Sequence, residues 1–172
     1  VTDKLPGLRR LRCAVIVNVA GKTEDDYRRV VERLEAEDGI GGYEINVSCP
    51  NVAHGGLAFG TNPAQVERLT RRLRDAVRPR EGAVPGTRGA ARRPVIVKLT
   101  PNVADIASIA KAAEAGGADA VSCINTLVGM VIDVKARRPV LAMGTGGLSG
   151  PAVRPVGVAC AYKAARAVSI PV

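Results

Sequence analysis

Apolar positions along this chain alternate between two kinds of pattern. Residues 11–17 (LRCAVIV), 43–47 (YEINV), 94–99 (PVIVKL) and 118–124 (ADAVSCI) are short, mostly apolar runs bounded by glycine, proline or polar residues. Runs of that length predict strands buried in a sheet. Between them, apolar residues recur every three or four positions, which predicts helices. Thr23 opens the first: it can cap, Asp26 stands three residues on, and Tyr27, Val30, Val31 and Leu34 follow at helical spacing. Asn62-Pro63 opens the second, with proline at a first-turn position where its missing N–H costs nothing, and Val66, Leu69 and Leu73 continue its apolar face. Ile106, Ile109, Ala110 and Ala113 mark a third helix, and residues 151–167 a fourth. Residues 79–93 are glycine, proline, arginine and alanine without period and predict a mobile surface loop. Residues 130–150 form a longer polar, glycine-rich passage, and Ser169-Ile170-Pro171-Val172 reads as the opening of one more strand.

The resulting order, β-α-β-α-β-α-β, long loop, α-β, predicts parallel strands joined by right-handed crossovers. Two α/β architectures compete for it, an open doubly wound sheet and a (β/α)8 TIM barrel. The polar residues choose between them. Asn18, Asn46 with Cys49, Lys98, and Asn125-Thr126 lie at or near the C-terminal ends of four successive strands. A barrel builds its site there, each strand donating one or two groups to a common mouth. A doubly wound fold concentrates glycines after its first strand, which Val17-Asn18-Val19-Ala20-Gly21 does not do. A whole barrel takes roughly 250 residues, and this chain has 172. The expectation is therefore a single, partial barrel domain over residues 1–172, with about four to five βα units, a fragment of a longer protein.

Charge adds little to this picture. The net charge of +9 is concentrated in residues 71–93, where eight arginines face only Asp75 and Glu81. Such a stretch is ordinarily a solvated helix end and loop, and four aromatic residues, Tyr27, Tyr43, Phe59 and Tyr162, make no base-stacking platform. No apolar run approaches the roughly 20 residues of a membrane span, and no leader pattern stands at Val1. These features predict a cytoplasmic protein with no nucleic-acid or membrane partner. Cys13, Cys49, Cys123 and Cys160 are far apart, and with His54 as the single histidine they match no zinc spacing, so no metal site is expected. All but Cys49 sit in apolar segments and read as small core residues.

The candidate chemistry lies at the strand ends. Lys98, inside VIVKL, sets an ammonium in a buried strand, where an unpaired charge costs several kcal/mol. It faces an anionic or electron-rich ligand, or it reaches solvent at the strand end. Asn18, Asn46, Asn51 and Asn125 each offer a donor and an acceptor. Any one of them suits a turn; four converging suit a flat heterocycle with alternating N–H and C=O groups. Cys49 follows its strand directly and, with a reference pKa of about 8.5, can serve as nucleophile or general base. Gly144-Thr145-Gly146-Gly147-Leu148-Ser149-Gly150 before Pro151 either bares backbone N–H groups at a helix start or forms a glycine hairpin. His54 is assigned no role.

The motifs INVSCPN, VIVKLTPNVADI, INTLVGMVID and GTGGLSGPAVRPV, in this order, resemble the dihydroorotate dehydrogenase family, a flavin barrel that makes orotate in pyrimidine synthesis. The resemblance covers nearly the whole chain except residues 79–93, which look like an insertion. It implies that Cys49 is the base removing the C5 proton of dihydroorotate while a hydride leaves C6 for N5 of FMN. It implies that Asn46, Asn51, Asn125 and Thr126 hold the pyrimidine ring and carboxylate. Asn18, Asn46 and Lys98 would contact the flavin, with Lys98 stabilising negative charge on the reduced ring. Ile124 and Gly150 would touch FMN through the backbone.

A cysteine rather than a serine at position 49 is similar to the soluble class 1 enzymes, and NVAHGG, FGTNP and NTLVGMVID are most similar to their NAD-linked (class 1B) catalytic subunit. There the barrel, a homodimer at the core of a heterotetramer, pairs with an electron-transfer subunit carrying FAD and a [2Fe-2S] cluster. The scattered cysteines here suit a cluster held on such a separate partner. The family's upstream lysine and first substrate loop would precede Val1, and its flavin-phosphate glycines would follow Val172. Three other readings remain: a dihydropyrimidine dehydrogenase-like domain, which shares SCP and KLTPNV; a tRNA-dihydrouridine synthase-like barrel, whose histidine-arginine motif after the lysine strand is missing here; and a non-catalytic basic barrel fragment that binds RNA.

Overall fold

The computed structural model describes residues 1–48, 59–79 and 92–172. In chain order its elements are α1 (Leu5–Leu8), β1 (Ile16–Val19), α2 (Glu24–Glu35), β2 (Gly42–Asn46), α3 (Pro63–Ala76), β3 (Val95–Leu99), α4 (Ile106–Ala115), β4 (Ala120–Cys123), β5 (Leu127–Gly129), β6 (Ile132–Asp133), β7 (Arg138–Pro139), β8 (Gly146–Leu148) and α5 (Arg154–Ala165). Single 3₁₀ turns, Phe59–Thr61 and Pro151–Val153, precede α3 and α5.

The helix starts follow their capping chemistry. The Asp26 N–H donates to Thr23 Oγ1 at 3.1 Å and the Thr23 N–H donates to Asp26 Oδ2 at 2.9 Å, so two otherwise orphaned amides are satisfied reciprocally. Asn62 caps α3 by accepting from the Gln65 N–H, and Asp105 caps α4 by accepting from the Ala107 N–H.

Strands β1 to β4 form one parallel sheet in unbroken sequential order. Because each crossover is right-handed and the strand order never reverses, α2, α3 and α4 fall on one face. Consecutive helices pack on one another along it, α2 on α3, α3 on α4 and α4 on α5. A doubly wound sheet reverses its order and takes helices on both faces. The sequential, one-sided winding is that of an α/β-barrel wall. The helix-facing strand residues, Val19, Tyr43, Ile45, Val95, Val97, Leu99 and Val121, are buried against Tyr27, Val31, Val66, Leu69, Leu73, Ile109 and Ala113. Each such aliphatic residue contributes about 1.5–3 kcal/mol by leaving water.

Four sequence expectations need correction. The first strand begins at Ile16, not at residue 11: Leu11 is 53% exposed and Cys13 is also exposed. Arg9, Arg10 and Arg12 stand around them, and Arg9 instead reaches the Asp38 carbonyl and the Glu37 carboxylate, holding this segment outside the sheet. Cys13 is accordingly no core residue. Residues 169–172 form no strand; one bond, from the Val121 N–H to the Pro171 carbonyl, lays them beside β4, and Pro171 has no N–H with which to continue a ladder. The glycine-rich passage is ordered as two antiparallel ribbons, β5 with β8 and β6 with β7, whose strands of two or three residues are too short for an alternation to register. The helix predicted from Pro151 starts as a 3₁₀ turn and becomes α-helical at Arg154.

The basic stretch is largely paired where it is described. Arg68 and Arg72 meet Glu24 on α2, Arg72 also meets Asp25, Arg71 meets Glu67 and Arg74 meets Asp119. Arg93 is buried: it donates to the Leu34, Glu37 and Ile40 carbonyls, to Tyr43 Oη and to Glu35, which also accepts the Arg78 N–H. One carboxylate thus fastens the chain on both sides of residues 80–91. The fastening lies by the N-terminal start of β3, at the opposite end of the sheet from the strand-end polar residues.

Candidate functional site

Side chains alternate across the sheet, so the residues between the buried positions share its other face. They are Ile16 and Asn18 of β1, Glu44 and Asn46 of β2, Ile96 and Lys98 of β3, and Ala120 and Ser122 of β4. All are partly or fully exposed, and five of the eight are polar. A face this polar does not pack as a hydrophobic core.

Pairing of these groups decides what remains free. Asn18 Nδ2 donates to Glu44 Oε2 at 2.5 Å, and Ser122 Oγ donates to Glu44 Oε1 at 2.8 Å. Asn46 Oδ1 accepts the Ser48 N–H at 3.2 Å, which leaves the Asn46 amide NH2 to donate elsewhere. Asn125 Oδ1 accepts the Thr126 N–H at 2.9 Å, with the same consequence. The Lys98 ammonium makes no ion pair among the described residues, although its strand neighbours Val97 and Leu99 are wholly buried. Among the described residues, the open face therefore presents the Asn46 amide donor and an ammonium, and Asn125 beyond β4 presents a second amide donor.

Among the described residues, three bonds hold the end of β2. Tyr27 Oη donates to the Asn46 carbonyl at 2.7 Å, Ser48 Oγ donates to the Lys98 carbonyl at 3.2 Å, and the Gly60 N–H donates to the Val47 carbonyl at 2.9 Å. Ser48 is itself buried. Cys49, Asn51 and His54 follow this anchor and lie outside the described residues.

Beyond β4 the chain turns into a mouth formed by two adjoining clefts that share Asn125 and Thr126. One, of about 420 Å³, is lined by Ser48, Asn102, Asn125, Thr126 and the β8 glycines Gly146 and Gly147. The other, of about 290 Å³, is lined by Ile124, Ser149, Gly150 and the start of α5. Gly147 is needed for this closure, since a β-carbon there would collide with the Thr126 hydroxyl. Gly150, at φ +98°, takes a backbone conformation that side chains disfavour. Cys123 borders the second cleft, but burial, with Cys160 nearby, pushes its thiol up to about 11, so it stays protonated near neutral pH and is no base. A further cavity of about 480 Å³, bordered by Arg74, Glu114 and Asp119, lies at the N-terminal end of β4, away from all of these groups.

The structure thus brings together Asn125, Thr126, Ile124 and Gly150 around the clefts, and Asn18, Asn46 and Lys98 on the adjoining open face. Sequence reasoning missed Glu44, Ser122, Ser48 and Asn102. Asn102 donates to the Thr126 carbonyl at 3.0 Å and accepts the Val128 N–H at 3.0 Å, fixing the segment that carries Thr126. Glu44 was open to the reasoning applied to Lys98, a charge inside a short strand. Ser48 and Ser122 gave no signal, because a serine fits a turn or a strand equally well.

A family model described as dihydroorotate dehydrogenase matches residues 2–172. The chain is 49% identical over all 172 residues to the catalytic subunit of dihydroorotate dehydrogenase B (NAD(+)) of Alkaliphilus oremlandii, covering 52% of that protein. It is 47% identical, with the same coverage, to the catalytic subunits of the same name from Listeria monocytogenes serotype 4a and Alkaliphilus metalliredigens. The chain spans about half the length of the curated relatives it matches.

Proposed function

The chain belongs to the dihydroorotate dehydrogenase family, and on that premise we propose that its protein oxidises (S)-dihydroorotate to orotate in de novo pyrimidine synthesis, with FMN as the first electron acceptor. The observation that carries this reading is the adjoining pair of clefts, one lined by Asn125, Thr126 and Ser48, the other by Ile124 and Gly150, beside a polar open face. A pyrimidine carboxylate offers N–H and C=O groups together with a negative charge. The NH2 groups of Asn46 and Asn125, which donate to no other described residue, the Thr126 hydroxyl and the Lys98 ammonium complement it and the electron-rich edge of a flavin. The donor set therefore fits the cofactor.

In this reading FMN, when bound, supplies a two-electron acceptor. The residues do the rest. Asn46, Asn51, Asn125 and Thr126 orient the substrate ring. Asn18, Asn46, Lys98, Ile124 and Gly150 hold the flavin, Lys98 being placed to offset negative charge that gathers on it. Cys49 takes the proton from C5. Its strand is clamped at Asn46 to Ser48, the residues immediately before it in the chain. Bonds from Asn102 hold Thr126 in place opposite.

The relatives are named NAD(+)-type catalytic subunits. We extend to this protein an electron-transfer partner carrying FAD and a [2Fe-2S] cluster, a homodimeric core within a heterotetramer, and a cytoplasmic location. No helix among the described residues is long and apolar enough to cross a membrane. Paired arginines on α3 weaken the case for RNA, since their charge is already met by Glu24, Asp25 and Glu67.

Adding dihydroorotate anaerobically to the intact protein tests the reading through the flavin's visible absorbance. Bleaching in the wild type, with loss of at least two orders of magnitude in rate for Cys49→Ala, is the expected result. A flavin that stays yellow with dihydroorotate but bleaches with NADPH sinks it, in favour of a dihydropyrimidine or dihydrouridine enzyme.

A further inference from the structure

We infer that Glu44 is a positioning residue of the cofactor site, acting through Asn18. A carboxylate can only accept, so the contact at 2.5 Å fixes which end of the Asn18 amide meets Glu44: the NH2 group is consumed and the carbonyl oxygen turns away from it. Among the described residues nothing donates to that oxygen, and Asn18 is exposed on the open face. The hydroxyl of Ser122, two strands away across β3, holds the second Glu44 oxygen at 2.8 Å, so the carboxylate is gripped from β1 and from β4 and has little freedom to swing. Without it the Asn18 amide turns over freely, presenting donor or acceptor without preference. Among the described residues, Glu44 thus gives the face a fixed amide acceptor, beside the donors of Asn46 and Lys98.

The inference rests on the flavin reading above and deepens it. Its test is FMN affinity, measured in the intact apoprotein by quenching of flavin fluorescence. Asn18→Ala weakens binding several-fold to about tenfold, the range of one net hydrogen bond. Glu44→Ala weakens it similarly, and adding Glu44→Ala to Asn18→Ala weakens it no further. Glu44→Gln keeps an oxygen for the Asn18 NH2 and an NH2 for the Ser122 hydroxyl, and stays within about twofold of wild type. Should Glu44→Ala not fold, Glu44→Leu, which keeps the volume without an acceptor, runs the same cycle. Losses that multiply in the double variant overturn the inference, as does a Glu44→Ala protein that binds FMN like the wild type. A wild-type protein that takes up no FMN overturns the flavin reading itself and this inference with it.

Discussion

Glu35 and Arg93 form the most deeply buried ion pair of the described residues, at 2.8 Å, with Tyr43 Oη bonded to both. Burial alone raises the Glu35 carboxyl, but the bonds from Tyr43, Arg93 and the Arg78 N–H outweigh it and hold the group below its ordinary value of 4.5. The sign follows: a depressed carboxyl contributes stability that is complete above the unfolded value and is lost as pH falls below it. Glu35→Gln leaves Arg93 without its counter-charge, which costs about 3 kcal/mol near neutral pH. Because protonation removes the same charge from the wild type, the gap between the two proteins should narrow as pH falls below the ordinary carboxyl value of 4.5. Urea titrations across that range check it; a gap that stays constant means the ion pair is not the source. Pairing of this kind was illegible beforehand, since Arg93 reads as one more arginine of a basic loop until β3 and α2 are set side by side. Lys98 was legible because its immediate neighbours are all apolar.

Elements with strong local chemistry were read correctly, and those without it were not. The starts of α2 and α3 each carry a capping side chain that the sequence reading named, so sequence and structure agree there, while the Asp105 cap of α4 went unread. At β1 an apolar count included Leu11 and Cys13, because a run of hydrophobic letters does not reveal that flanking arginines keep it at the surface. The ribbons β5 to β8 were hidden by their shortness, two or three residues a strand. The helix pair α3–α4 depends on a glycine. A β-carbon at Gly116 would lie 2.6 Å from the Glu67 carbonyl and 2.7 Å from Thr70 Cβ, both parts of α3 with no room to withdraw. Gly116→Ala should therefore separate the helices at a cost of about 1–3 kcal/mol. A melting temperature at or above the wild type's would show instead that helix propensity, not contact, governs this position.

For the molecule as a whole, the winding of the sheet and the polarity of its open face answer to one another. Three successive parallel crossovers in unbroken strand order place α2, α3 and α4 on one side by the common hand of such units, which leaves Asn18, Glu44, Asn46, Lys98 and Ser122 together on the other. The barrel was legible from Asn18, Asn46 with Cys49, Lys98 and Asn125-Thr126 recurring at strand ends; the exact mouth was not, because it depends on the β5–β8 ribbon folding back so that Gly147 meets Thr126. The same face bears on how firmly a flavin is held. Ile16 at its β1 edge is 42% exposed, and one bond, from Val121 to Pro171, runs along the β4 edge. Affinity for a large planar ligand depends on enclosing most of its surface, and a one-sided face with two thinly paired edges encloses little. Expressed by themselves, these 172 residues should purify colourless, with far less than one equivalent of FMN, whereas the intact protein should retain it. Absorbance near 450 nm against protein concentration decides the matter. A yellow, stoichiometric preparation of the 172 residues alone would mean that the clefts at Asn125 and Gly150 hold the flavin without further enclosure, and the open face would then have to be reread as a complete binding surface.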